Sequence, residues 1–201
     1  MKNIFLSLLA LAVTLPGQAA ETRSLPAPVI TGGMPLMEAI NARSSTRDFS
    51  ARPVDDQTLG EILWVAWGQN SRGKRTIPTA RNLQNMQLYL ATPEGAWKYH
   101  GSTHSLEKVT DENLIPYCNR QDYVPQAPVH LIYAIQDNSR GHNHVGSAYQ
   151  NVYLYATWKG LSCVIRGMID IPALNKALNL PEGETVALHQ CLGWPEESAA
   201  K

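Results

Sequence analysis

At 201 residues with 44% apolar side chains, the chain has the length of one domain and enough apolar material for a real core, which excludes global disorder. Seventeen lysines and arginines balance seventeen acids, and this zero net charge argues against a partner held through a nucleic-acid backbone. Charged residues make up only 17%, below the roughly 25% usual for soluble proteins, which points to surface buried in an oligomer.

Residues 1–20 stand apart. Lys2 precedes an apolar run over residues 4–15 that is too short to span a bilayer. Pro16 and Gly17 break the run, and Gly17-Gln18-Ala19 puts small residues where a signal peptidase reads. The segment reads as a signal peptide of the ordinary secretory route, cleaved near Ala19 or Ala20, so the mature protein is expected to be periplasmic or secreted. No later stretch is long enough for a membrane span. Residues 21–34, rich in proline and glycine, read as an N-terminal arm, and residues 35–201 as a single domain.

A helix begins at Pro35, whose missing N–H costs nothing in a first turn. A second follows a cap at Asp55 or Asp56 and runs through Trp67, with Leu59, Ile62, Leu63, Ala66 and Trp67 at helical spacing. Residues 68–78 form a polar loop. Residues 87–92 alternate like a strand, and residues 96–100 with 106–109 read as a hairpin around Gly101-Ser102. Residues 111–128 look irregular, 129–135 are a buried strand, and 145–159 a long helix ended by Gly160. A strand over 162–165, a short helix over 172–178 and a strand over 185–192 complete an α+β chain. Tyr149, Tyr153, Tyr155 and Trp158 fall on the long helix at spacings that favour core or dimer contact.

Cys118, Cys163 and Cys191 make an odd count for an oxidising compartment. One disulfide plus one thiol remains open; Cys163 and Cys191 sit in apolar, strand-like runs and read as buried. His142 and His144 would share a face on a strand and could then form a metal pair. No carboxylate or cysteine accompanies them in sequence, so two histidines in a solvated loop is the favoured reading.

Three segments carry chemistry. Arg43-Ser44-Ser45-Thr46-Arg47 packs two cations and three hydroxyls into five residues after a helix, donors suited to phosphate. Pro78-Thr79-Ala80-Arg81-Asn82-Leu83-Gln84 carries carboxamides that can read a heterocycle edge. Gly160-Leu161-Ser162-Cys163-Val164-Ile165-Arg166-Gly167 is a helix end feeding a strand, with a glycine where backbone N–H groups can approach a planar ligand. Each alone fits an ordinary turn, cap or strand end.

In this order the three resemble the nitroreductase family of FMN-dependent oxidoreductases, over about residues 35–195. Arg43 to Arg47 with Asp48-Phe49 is similar to the family's opening Arg-Arg-Ser-x-Arg-x-Phe, with Ser44 in place of a second basic residue. Thr79 to Gln84 resembles its Pro-Ser-x-x-Asn-x-Gln segment, with Thr79 in the serine place. Gly160-Leu161 through Gly167 and Asp170, then Leu192-Gly193-Trp194-Pro195, resemble its late pattern. The hairpins over 87–109 look more like the branch related to azoline oxidases.

The resemblance implies an obligate homodimer with a mostly antiparallel sheet of four to five strands flanked by helices. It implies FMN held by Arg43, Ser44 and Ser45 at the phosphate and by Arg47 toward the pyrimidine. Thr79, Asn82 and Gln84 would reach the flavin from the partner subunit, and Ile165, Arg166 and Gly167 would lie along the isoalloxazine through their backbone donors. The flavin carries the redox chemistry, so no catalytic side chain is implied. The substrate would be a small organic molecule such as a nitro compound, a quinone or a dehydrogenated heterocycle, with the electron donor open. An exported flavin-binding protein without turnover, and a metal-binding protein through His142 and His144, are the alternatives.

Overall fold

The computed structural model describes residues 20–136 and 138–196. The signal peptide expected over residues 1–20 falls almost entirely outside them. Among the described residues seven strands form one sheet: β1 (Thr22–Ser24), β2 (Met86–Thr92), β3 (Gly95–His100), β4 (Ser105–Thr110), β5 (Val129–Gln136), β6 (Ser162–Arg166) and β7 (Glu184–Gly193). Their order is β1-β4-β3-β2-β5-β7-β6, and every pairing is antiparallel. Among the same residues five α-helices accompany them: α1 (Leu36–Ala42), α2 (Asp56–Trp67), α3 (Ile115–Cys118), α4 (Ser139–Lys159) and α5 (Ile171–Ala177). The sheet is wider than the four to five strands implied by the resemblance, partly because the arm supplies β1. Thr22, Arg23 and Ser24 pair with Glu107, Leu106 and Ser105, and Leu25 is buried behind them.

Both faces of the sheet are covered. On one side, Leu88, Leu90, Leu131, Tyr133 and Ile135 pack against Ile62, Leu63 and Ala66 of α2 and Ala148, Val152 and Ala156 of α4. On the other, Tyr89, Ala91, Ile132, Ala134, Val164 and Cys191 meet Leu114, Cys118, Val124 and Leu174. A strand covered on both faces buries successive residues, which is why β5 reads as an unbroken apolar run. The segment expected to be irregular, 111–128, provides that second cover through α3 and a 3-10 turn, Val124–Gln126.

Local chemistry sets the helix ends. The Asp55 carboxylate accepts from the Thr58 N–H at 2.9 Å, capping α2. Asn138 Oδ1 accepts from the Arg140 and Gly141 N–H groups, so α4 begins at Ser139 rather than at the first apolar residue, Val145. Gly141 lets that turn lie on β5, since a Cβ there would sit 2.7 Å from the Gln136 carbonyl oxygen and 2.8 Å from Ile135 Cβ. Gly160 ends α4 in the left-handed conformation, φ 74°.

The earlier start of α4 removes the metal-pair alternative for His142 and His144. On a helix, residues two apart diverge. His142 lies on the exposed side, whereas His144 is buried against Trp67 with ring centroids 6.3 Å apart. All three cysteines are free and buried. Cys163 packs on one face of the sheet and Cys118 and Cys191 on the other.

Candidate functional site

The chain leaving α1 runs beside the edge strand β6. The Thr46 N–H donates to the Cys163 carbonyl and the Cys163 N–H to Thr46 Oγ1, both at 3.0 Å. Tyr153 of α4 ties the same two segments together. Its hydroxyl lies 2.8 Å from Ser45 Oγ and accepts from the Ile165 N–H at 2.9 Å. Arg43 stands over the Tyr153 ring at 5.2 Å, and Arg47 over Tyr123 at 5.8 Å. Neither arginine forms an ion pair among the described residues, so both keep their donors for an external anion. Ser44 lines a hollow of about 240 Å³ with Thr46, Gly160, Ser162 and Pro195.

Strand geometry decides which backbone groups β6 can offer. Peptide groups alternate sides along an antiparallel strand. Because Cys163 and Ile165 donate away from β7, the N–H of Arg166 turns toward β7, where Arg166 pairs with His189. The next outward-facing donor is Gly167, which is exposed, and no group accepts from its N–H among the described residues. Of the three backbone donors expected along the flavin, the N–H groups of Ile165 and Arg166 are thus committed elsewhere and that of Gly167 is open.

Thr79, Asn82 and Gln84 lie in a different part of the chain's surface, before β2. Arg81, Asn82 and Gln84 take positive φ of 53°, 56° and 46°. Left-handed backbone at non-glycine residues costs roughly 1–3 kcal/mol each and clusters at functional sites. Gln84 Nε2 donates to Asn82 Oδ1 at 3.1 Å, and Arg75 Nε donates to Gln84 Oε1 at 2.8 Å. Arg75 also stacks on Trp67 at 4.4 Å and donates to its carbonyl. No hydrogen bond or ion pair joins this loop to Arg43–Arg47 or to Ile165–Gly167 among the described residues. Within one protomer the two halves of the expected site stay separate.

Sequence reasoning missed two supports: Tyr153 showed only a spacing that favours core or dimer contact, and Arg75 only a polar loop. Arg166 was expected through its backbone donor, and the anchoring of its side chain was not. The Arg166 side chain turns inward: Nη1 donates to the Cys118 carbonyl, Nη2 to the Met168 carbonyl at 2.9 Å, and Nε to Gln121 Oε1 at 3.0 Å. Also missed was the buried group His130, His189 and Cys191, each offering one metal-ligand atom within 4.8 Å of the others. Its electrostatics oppose a cation, because Arg166 Nη1 stands 3.4 Å from His189 Nδ1. A hydrogen-bonded chain fits better: Arg166 donates to His189 Nδ1, and His189 Nε2–H donates to His130 Nδ1 at 3.0 Å. That leaves a proton on His130 Nε2, which has no partner in hydrogen-bonding geometry, although the Ala127 carbonyl lies near enough to favour a proton there. Burial pushes the His130 pKa down to about 4 and that of His189 well below the usual imidazole range.

A second hollow, about 460 Å³, lies between the arm, α2 and α4 and shares no residue with either half-site. Its buried carboxylate, Glu61, is already occupied. It accepts from Tyr155 Oη at 2.5 Å, Gln57 Nε2 at 2.9 Å and the Val29 N–H at 3.1 Å, and pairs with Lys159 at 3.0 Å.

Comparisons with known proteins identify the family. The nitroreductase family model matches residues 40–194. A crystal structure from Ralstonia eutropha JMP134, described as a nitroreductase, superposes with a TM-score of 0.82 at 30% identity, covering 92% of this chain and 96% of that one. A Methanocaldococcus jannaschii protein carrying the same description is 29% identical over 169 residues, 73% of this chain and 85% of its own. The NADPH:FMN oxidoreductase of Vibrio harveyi, solved with NAD+, shares the fold with a TM-score of 0.61 at 22% identity, covering 81% and 69% of the two chains. The chain belongs to the nitroreductase family.

Proposed function

We propose that the chain is an FMN-dependent oxidoreductase acting on a small organic substrate, such as a nitro compound, a quinone or a dehydrogenated heterocycle, and that it works as a homodimer. The observation carrying this reading is the donor set beside β6. Among the described residues Arg43 and Arg47 form no ion pair; they flank Ser44 and Ser45 beside β6, and the Gly167 N–H at the end of that strand is open. Cations and hydroxyls at one end and a single peptide donor at the other suit a phosphate joined to a flat heterocycle. When bound, FMN would supply hydride transfer. Arg43, Ser44 and Ser45 would hold its phosphate, Gly167 would donate to the ring edge, and Arg47 would stabilise negative charge on the pyrimidine side.

Thr79, Asn82 and Gln84 would complete the site from the partner subunit, which accounts for their separation from the other half within one chain. An apolar surface on the arm and α1 supports dimerisation. Val29, Ile30, Leu36, Met37 and Ile40 are all exposed there, and several exposed large apolar side chains in one stretch of chain suit a subunit contact. We further propose export, with a mature N-terminus near Ala20 or Glu21.

The test is the absorbance spectrum and mass of the purified mature protein. Flavin bands, one FMN per protomer and a dimeric mass by light scattering are expected. Turnover of a nitroaromatic or quinone with NADH or NADPH then separates an enzyme from a flavin carrier. A flavin-free protein that takes up no added FMN refutes the reading.

A further inference from the structure

Arg166 carries a charge that the fold leaves uncompensated. Its side chain is 6% exposed, and its four partners, the Cys118 and Met168 carbonyls, Gln121 Oε1 and His189 Nδ1, are all neutral. No carboxylate pairs with it among the described residues. The titratable groups that feel its charge are Cys118, Cys191, His130 and His189, and burial disfavours the charged form of each. Asp170, four residues on, is already engaged by Arg120 at 3.2 Å and by the Ala173 N–H. The aromatic face it stands over, Tyr123, is shared with a second cation, Arg47. Guanidinium does not shed its proton, so burial cannot neutralise it, and a buried charge without a counter-ion is costly. Its position is informative: Ile165 and Gly167, its two neighbours in sequence, turn their main chain to the open edge of β6.

We propose that Arg166 is a positioning residue of the flavin site, whose buried cation is the fixed counter-charge for the electron-rich, reduced state of the ring bound along Ile165 and Gly167. The inference rests on the flavin reading above. Oxidised FMN carries no negative charge on its ring and gains little from the cation; the reduced ring gains the full attraction, weakly screened because the guanidinium is out of solvent. The same side chain clamps the 118–121 segment onto β6, so a structural role must be told apart from an electrostatic one.

Two variants of the FMN-loaded protein do so. Arg166→Gln removes the charge. Gln121→Glu keeps Arg166 and its contacts but puts a carboxylate where Gln121 Oε1 now accepts at 3.0 Å, supplying the missing counter-ion. In both, reduced FMN should bind at least tenfold more weakly relative to oxidised FMN, a fall in midpoint potential of roughly 30 mV for a two-electron couple. Oxidised-FMN affinity should stay within about threefold. If Arg166→Gln does not fold, Gln121→Glu alone decides. FMN bound at an unchanged potential in Gln121→Glu overturns the proposal and leaves the flavin reading standing. A wild-type protein that binds no FMN removes both.

Discussion

Arg43 and Arg47 are alike in sequence but differ in what they face. Arg43 caps the end of α1 beside Tyr153, whereas Arg47 stands over Tyr123. Arg43→Ala should weaken FMN binding roughly ten- to a hundredfold, because a charge-assisted phosphate contact is worth on the order of 1.5–3 kcal/mol. Equilibrium titration of the apoprotein with FMN reads this directly. Arg47→Ala should lower the flavin's potential more than its affinity. If both variants match wild type in affinity and potential, these arginines face solvent only. Tyr153→Phe tests the link between the segments. It deletes one hydroxyl serving Ser45 and Ile165 and leaves a buried donor short of its acceptor, a loss of about 1–3 kcal/mol by urea denaturation. None of this pairing was readable in the chain. Tyr153 lies 108 residues from Ser45, and its helical spacing announced only a buried face.

Among the elements, α4 diverged most from its sequence reading. Counting apolar periodicity placed its start at Val145, because the polar stretch before it includes Gly141, which lowers helix propensity. The Asn138 cap and the packing of the first turn on β5 outweigh that preference. Gly141→Ala should therefore destabilise the protein despite the better helix propensity of alanine. The added methyl meets backbone oxygen and the Ile135 side chain, a cost of roughly 1–3 kcal/mol measurable as a lowered denaturation midpoint. Unchanged stability would mean that the first turn of α4 is not held against β5. The strands were far more legible. β2, β5 and β7 each match their expected spans to within a residue at either end, since alternation and unbroken apolar runs are local signals.

At the scale of the whole molecule, the buried imidazoles make stability depend on pH. His130 has its pKa lowered to about 4 by burial, against about 6.5 when free. The unfolded chain takes up the proton first, so the stability from keeping this ring neutral is complete above about pH 6.5 and fades as pH falls toward 4. Below that value the folded ring is protonated too, and the contribution is gone. The amount is on the order of 3 kcal/mol, and His189 acts in the same direction. Urea midpoints at about pH 7 and about pH 5 should differ by more in the wild type than in His130→Gln; equal differences would show that the histidine pair is not the source.

Most strands, the buried β5, the capped α2 and the family pattern were legible because each rests on residues near one another in the chain. Periodicity, capping and turn residues act over a few positions, and a family pattern is the ordered sum of such local signals. What tertiary structure alone decided is which groups meet. The fold committed the Ile165 donor to Tyr153 and the Arg166 donor to β7 and left Gly167 open, and it put the Arg166 side chain among neutral partners. It also stacked His130 on His189 across 59 residues and separated the Thr79–Gln84 loop from the Arg43 segment. Strand register and long-range packing set those contacts, and no window of sequence contains both partners.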